Sequence, residues 1–124
     1  MLSSHAAKAP KITTQPMNQK DILQGSPLSF KIKATGAEPL SYQWQWKPAG
    51  KEDEQQEWQD LSCDSITFQE VEGGLKITGA QACHVGKYRC VVSNSAGSEI
   101  SWCATLTVNV GKYTVVEIKL ILKC

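Results

Sequence analysis

The chain has 124 residues, with 13 Lys plus Arg against 12 Asp plus Glu and a net charge of +1. That length suits one domain with a sizeable core, and so even a charge balance supplies no broad field for nucleic acid or an anionic membrane. Met1 to Pro10 lacks the apolar core of a signal peptide, and no stretch reaches the roughly 20 apolar residues of a membrane span.

Period-two alternation bounded by turn residues marks strands along the chain. Residues 1–9 read as a flexible tail. Lys11 to Pro16 is an edge strand, because Pro16 has no amide to donate and only an edge tolerates that; a short second strand lies near Lys20 to Leu23. After the turn Gln24-Gly25-Ser26-Pro27, Leu28, Phe30, Ile32 and Ala34 point inward, while Ser29, Lys31, Lys33 and Thr35 point outward. Gly36-Ala37-Glu38-Pro39 then leads into Leu40 to Lys47, where Tyr42, Trp44 and Trp46 share one face and Trp44 is the core tryptophan.

Pro48 to Glu57 is a polar insertion read as a solvated, acidic hairpin tip. Trp58 with Leu61, and Ile66 with Phe68, mark two short strands before Glu72-Gly73-Gly74 turns the chain. Leu75 and Ile77 point inward on the next strand, Tyr88, Cys90 and Val92 on the one after, and Ala104, Leu106 and Val108 on the last. Two sheets enclosing one apolar interior follow. The tail over residues 111–124 is apolar and rich in β-branched residues. It reads as an extension of the last strand or the first strand of a following module, or else as a helix or partner-binding strand.

Leu75-x-Ile77-x-x-Ala80 followed by His84-Val85-Gly86-Lys87-Tyr88-Arg89-Cys90 and Ser93-Asn94-Ser95-Ala96-Gly97 resembles the E to F strand signature of immunoglobulin domains of the I-set type. The resemblance covers residues 10–110 and implies an all-β, two-sheet antiparallel sandwich with Greek-key connections. It also implies a tyrosine corner at Tyr88, two residues before the strand F cysteine. The expected structural core is Ile32, Trp44, Leu75, Ile77, Tyr88 and Cys90.

In the family a strand B cysteine bonds to the one on strand F, but alignment places Ile32 there. That bridge would close a loop of about 58 residues, worth roughly 4 kcal/mol on a chain-entropy estimate. Burying Ile32 offsets about 1.5 to 3 kcal/mol. Giving up the bridge makes sense where disulfides do not form, and Cys63, Cys83, Cys103 and Cys124 rebuild no framework, so reduced thiols are expected. No Asn-x-Ser/Thr glycosylation signal is present. His84 replaces an aspartate common at that place in the family, which leaves open what holds the corner.

Chemistry finds few candidates. Cys83 and His84 are adjacent, so a strand would send their side chains apart, whereas a nucleophile needs its base within about 2.6 to 3.2 Å. No zinc-ligand pair or phosphate-binding glycine loop occurs, and Glu52 to Glu57 lacks the spacing of a calcium loop. No catalytic, metal or cofactor residue is assigned, and the chain is expected not to be an enzyme.

The leading expectation is a cytoplasmic protein-protein interaction module. It resembles the bridge-free immunoglobulin domains of titin-type scaffolds, or those of the mucosa-associated lymphoid tissue lymphoma paracaspase, through Gln15-Pro16 and Tyr42-Gln43-Trp44. The alternatives are an extracellular adhesion or receptor domain cut from a longer chain, should Met1 not be the native start, and a mechanical spacer between neighbouring immunoglobulin domains. Faces formed by strands C, F and G, here Leu40 to Lys47, Tyr88 to Val92 and Ala104 to Val108, commonly dock partners in the family. Here that face carries Gln43, Gln45, Lys47, Lys87, Arg89, Val91, Thr105 and Thr107. Lys31, Lys33 and Lys76 form a basic patch on the strand over Leu28 to Ala34 and the one that holds Leu75 and Ile77, opposite in sign to the acidic tip.

Overall fold

In the computed structural model, residues 7–49, 57–63 and 65–111 are described. The expectations for the acidic tip at Glu52 to Gln56, the apolar tail beyond Gly111, Cys124 and most of the N-terminal tail lie outside those residues. Eleven strands are formed among the described residues: β1 (Lys11–Thr14), β2 (Gln19–Leu23), β3 (Leu28–Phe30), β4 (Lys33–Thr35), β5 (Ser41–Pro48), β6 (Gln59–Asp60), β7 (Phe68–Val71), β8 (Gly74–Ile77), β9 (Gly86–Asn94), β10 (Gly97–Ile100) and β11 (Ala104–Asn109). A 3-10 turn over Ala82–His84 precedes β9. No helix among them is long and apolar enough to cross a membrane.

One layer runs β2-β11-β9-β5-β6, with β10 also paired to β9; the other comprises β3-β8-β7 and the two-stranded ladder β1-β4. Every pairing is antiparallel except β2 with β11. This is the immunoglobulin-like sandwich that the resemblance implies. Between the layers, Phe30, Ile32, Trp44, Leu75, Ile77, Tyr88, Cys90, Val92 and Leu106 are buried in one cluster. The alternation that marks these positions puts every second residue inward.

Trp44 is fully buried and its indole N–H donates to the Gly73 carbonyl at 2.8 Å, so the largest apolar body in the core leaves no polar atom unpaired. Trp46 is half-buried and stacks on Tyr88 at 6.3 Å between centroids. The corner before β9 is held by His84 itself. Tyr88 donates its phenol hydrogen to the His84 carbonyl, His84 Nδ1 accepts the Gln81 N–H at 3.0 Å, and the His84 ring meets Phe68 edge-on at 5.4 Å. Burial keeps the His84 imidazole below its ordinary pKa and pushes that of the Tyr88 phenol up.

Several strand expectations need correction. The strand foreseen over Leu28 to Ala34 is two, because β3 pairs with β8 while β4 pairs with β1. The first strand ends at Thr14, short of Pro16. Ile66 was read with Phe68 as part of one short strand, but it lies outside that strand and is 85% exposed. Ser65 Oγ accepts the Phe68 N–H at 3.0 Å and Thr78 donates to the Ile66 carbonyl at 2.8 Å, a side-chain turn that carries Ile66 outward and starts β7 only at Phe68. The hairpin β9-β10 was also unforeseen. Asn94 Oδ1 accepts the N–H groups of Ala96 and Gly97, at 2.8 and 3.2 Å, which closes a tight turn of the kind asparagine favours.

Reduced thiols were expected throughout, and Cys83 is instead disulfide-bonded. Cys90 and Cys103 are free, the first buried and the second exposed. Burial is the main cause that pushes the Cys90 thiol pKa up to about 12, so it stays protonated at neutral pH and packs as a small apolar group.

Candidate functional site

The outward side chains of β5, β9 and β11 form one continuous face. Register places Gln43 opposite Val91, Gln45 opposite Arg89 and Lys47 opposite Lys87, with Thr105 on the other side of Lys87. Gln43 and Lys87 are exposed; Gln45, Lys47, Arg89, Val91, Thr105 and Thr107 are half-buried. All eight residues of the expected docking face therefore share one sheet.

Hydrogen bonds fix much of this face. The Arg89 Nε–H donates to Gln45 Oε1 at 2.8 Å, and Gln45 Nε2 donates to Asp60 Oδ1 at 2.9 Å. The Arg89 guanidinium lies 4.3 Å from the centre of the Trp58 ring, and Lys47 Nζ lies 5.5 Å from it. Like charges facing each other across strands, such as Lys47 and Lys87, are ordinarily destabilising, and the negative face of Trp58 draws Lys47 aside. Gln43 donates to the Leu61 carbonyl at 2.9 Å, tying β5 to the segment after β6. Thr105 and Thr107 face β2: the Thr105 N–H donates to Asn18 Oδ1, and Thr107 Oγ1 accepts the Asp21 N–H, both at 2.8 Å.

The edge of this face was not visible in the sequence. Ile100 pairs with Val91 and Ala104 with Tyr88, so three residues between β10 and β11 oppose two on β9. That is a bulge, which disrupts the ladder and re-aims side chains. Ser101 turns inward and replaces the ladder, accepting the Cys90 N–H at its Oγ and donating its own N–H to the Cys90 carbonyl, each at 2.8 Å. Trp102 is left 71% exposed, beside exposed Cys103 and half-exposed Ile100. Its N–H donates to Gln15 Oε1 at 2.9 Å, which anchors the strand there. Ile100, opposite Val91, and the large exposed indole two residues on are the kind of apolar groups that interfaces use. Ile100, Trp102, Trp58 and Asp60 were missed because each joins the face through a bulge or a hairpin register, neither of which alternation reports.

The pair weighed for catalysis is committed elsewhere: Cys83 to its disulfide and His84 to the Gln81 amide and Phe68. Among the described residues no group of three His, Cys, Asp or Glu side chains is placed to hold a metal ion.

A family model described as immunoglobulin domain matches residues 9–94. The chain is 32% identical over 103 residues to leucine-rich repeats and immunoglobulin-like domains protein 3 of Mus musculus, which covers 81% of this chain and 9% of that protein. It thus spans about a tenth of the length of that relative. Among solved structures, the N-terminal Ig1-2 module of the Drosophila receptor protein tyrosine phosphatase DLAR superposes with a TM-score of 0.68 at 28% identity, covering 85% of this chain and 48% of that one. The first eight Ig domains of Down syndrome cell adhesion molecule superpose with a TM-score of 0.67 at 26% identity, covering 83% and 13%. These relatives overturn the cytoplasmic location expected from the missing bridge, since they are modules of a receptor and of an adhesion molecule. The physical error was to read one absent disulfide as a statement about the compartment, although a buried Ile32 fills the same place in the core.

Proposed function

Because the chain belongs to the immunoglobulin domain family, matched over residues 9–94, we propose that it is a non-enzymatic binding module of a cell-surface protein, which docks a protein partner through the outer face of β5, β9, β10 and β11. The observation that carries this reading is the bulge between Ile100 and Ala104, which holds Trp102 in solvent at the margin of a sheet face that is otherwise polar and hydrogen-bonded. Tryptophan and arginine are the side chains that most often carry binding energy at interfaces. The Arg89–Trp58 stack pre-orients the guanidinium, which lowers the entropy lost on binding. A cell-surface setting is supported by the receptor and adhesion relatives and by the disulfide at Cys83, because disulfides persist in oxidising compartments.

The test is retention on intact cells. The fluorescent domain is compared with Trp102→Ser/Ile100→Ser and with Lys31→Glu/Lys33→Glu on the opposite sheet, in the presence of excess heparin to mask glycans. The first pair is expected to abolish saturable binding and the second to keep it, with melting points unchanged in both. Equal retention of all three proteins removes the docking-face assignment.

A further inference from the structure

The net charge of +1 conceals an uneven distribution. Strand pairing changes hands at Lys31 and Ile32, where β3 leaves its ladder with β8 and β4 joins β1. A cleft of about 700 Å3 opens there, lined by Lys31, Lys33 and Lys76 with the hydroxyls of Thr13, Ser29 and Thr35. Gly74 lets β8 pass close to β3 at its edge: a Cβ on Gly74 would lie 2.7 Å from the Phe30 carbonyl oxygen and 3.5 Å from Lys31 Cα. A second cleft of similar size, lined by Lys8 and Lys11, shares Thr35 with the first. Five lysines therefore line two clefts that meet at Thr35, and among the described residues Glu72 is the single carboxylate lining either one. None of the five is ion-paired among the described residues.

We propose that this pair of clefts binds a linear sulfated polysaccharide. Its length favours a polymer, because one small anion reaches only one cleft. Lysines supply point charges for anions, and the Ser29 and Thr35 hydroxyls beside them donate hydrogen bonds to sulfate oxygens, while the Thr13 hydroxyl donates to the Lys33 carbonyl. A single-stranded nucleic acid would need exposed aromatic platforms for its bases, but Phe30 is buried and Tyr42, the other ring lining the clefts, packs against Gly73. The site lies on the sheet opposite the docking face and stands independently of it.

The experiment titrates a heparin-derived dodecasaccharide into the purified domain at several NaCl concentrations. Counterion release of about 0.7 per neutralised charge predicts a slope of log affinity on log salt between about −2 and −4. Lys31→Glu/Lys33→Glu is expected to weaken binding at least tenfold, and Lys8→Gln/Lys11→Gln to remove the advantage of a dodecasaccharide over a tetrasaccharide. Lys87→Glu, on the other sheet, is expected to stay within twofold of the parent. Circular dichroism checks that each variant is folded. No binding at 50 mM NaCl, an equal loss in Lys87→Glu, or equally tight binding of poly-glutamate or of anionic phosphatidylserine vesicles overturns the proposal.

Discussion

Ile32→Cys tests how this core holds together without the usual cross-sheet bridge. Ile32 is 4% exposed and Cys90 fully buried, in the same cluster between the layers. With thiols reduced, the substitution removes most of an isoleucine side chain from the core, at a cost of about 2 to 3 kcal/mol in transfer and cavity terms. Oxidation to a bridge between positions 32 and 90 closes a loop of about 58 residues and returns roughly 4 kcal/mol. For a domain of this size that gap corresponds to about 18 °C in melting temperature. The raised pKa of Cys90 makes its thiolate scarce in the folded state, so oxidation belongs in urea with a glutathione couple, followed by refolding. The assay is urea unfolding with and without reductant in a Cys103→Ser background, compared with the Cys103→Ser parent under both conditions so that the Cys83 disulfide cancels. A mass two protons lower and an oxidised-minus-reduced gap near 4 kcal/mol are expected. A bridge that forms without the gap, or an introduced thiol that refuses to oxidise, refutes the inference that Ile32 merely occupies the family's cysteine position in an unshifted core.

Trp44→Ala is expected to lose about 3 to 5 kcal/mol by denaturant melting, because the indole is fully buried and its loss also orphans the Gly73 carbonyl; a loss under about 1 kcal/mol would contradict the packing described. Gly86→Ala is expected to cost about 3 kcal/mol, at the upper end for overpacking, since its Cβ would lie 2.3 Å from the Lys47 carbonyl oxygen; an unchanged urea midpoint would show that β5 and β9 can separate there. His84 has its folded pKa lowered by burial, so the unfolded chain binds that proton more readily. The corresponding stability is full above about pH 6.5 and declines as pH falls from there through the folded value. His84→Gln is therefore expected to flatten the fall in urea midpoint between pH 8 and 5, and an equally steep fall would assign it to other groups.

Much of the sandwich was legible because period-two alternation reports which face a strand buries. Leu75, Ile77, Tyr88 and Cys90 could be placed without coordinates for that reason. Alternation fails wherever one residue is added or the ladder changes partner. The bulge at Ser101 hid Trp102 and Ile100, and the turn at Ser65 left Ile66 out of its strand. The exchange at Lys31 and Ile32 left the sequence reading as one strand while it opened a cleft. The docking residues on β5 and β9 could be read off as outward, yet the Arg89–Trp58 stack joins residues 31 positions apart through a hairpin whose register no local pattern carries. The disulfide at Cys83 and the cell-surface relatives could not be anticipated from an odd cysteine count.

The most direct measurement places a photo-crosslinking residue at Gln43 on the proposed docking face, and separately at Gln69, which pairs with Lys76 on the opposite layer. Each labelled domain is applied to intact cells after enzymatic removal of heparan sulfate. The account predicts that Gln43 crosslinks to cell-surface protein and that unlabelled wild-type domain competes this away while Trp102→Ser/Ile100→Ser does not. Gln69 is predicted to give only background. Equal crosslinking from both positions, or competition by the Trp102 variant as strong as by wild type, would contradict it.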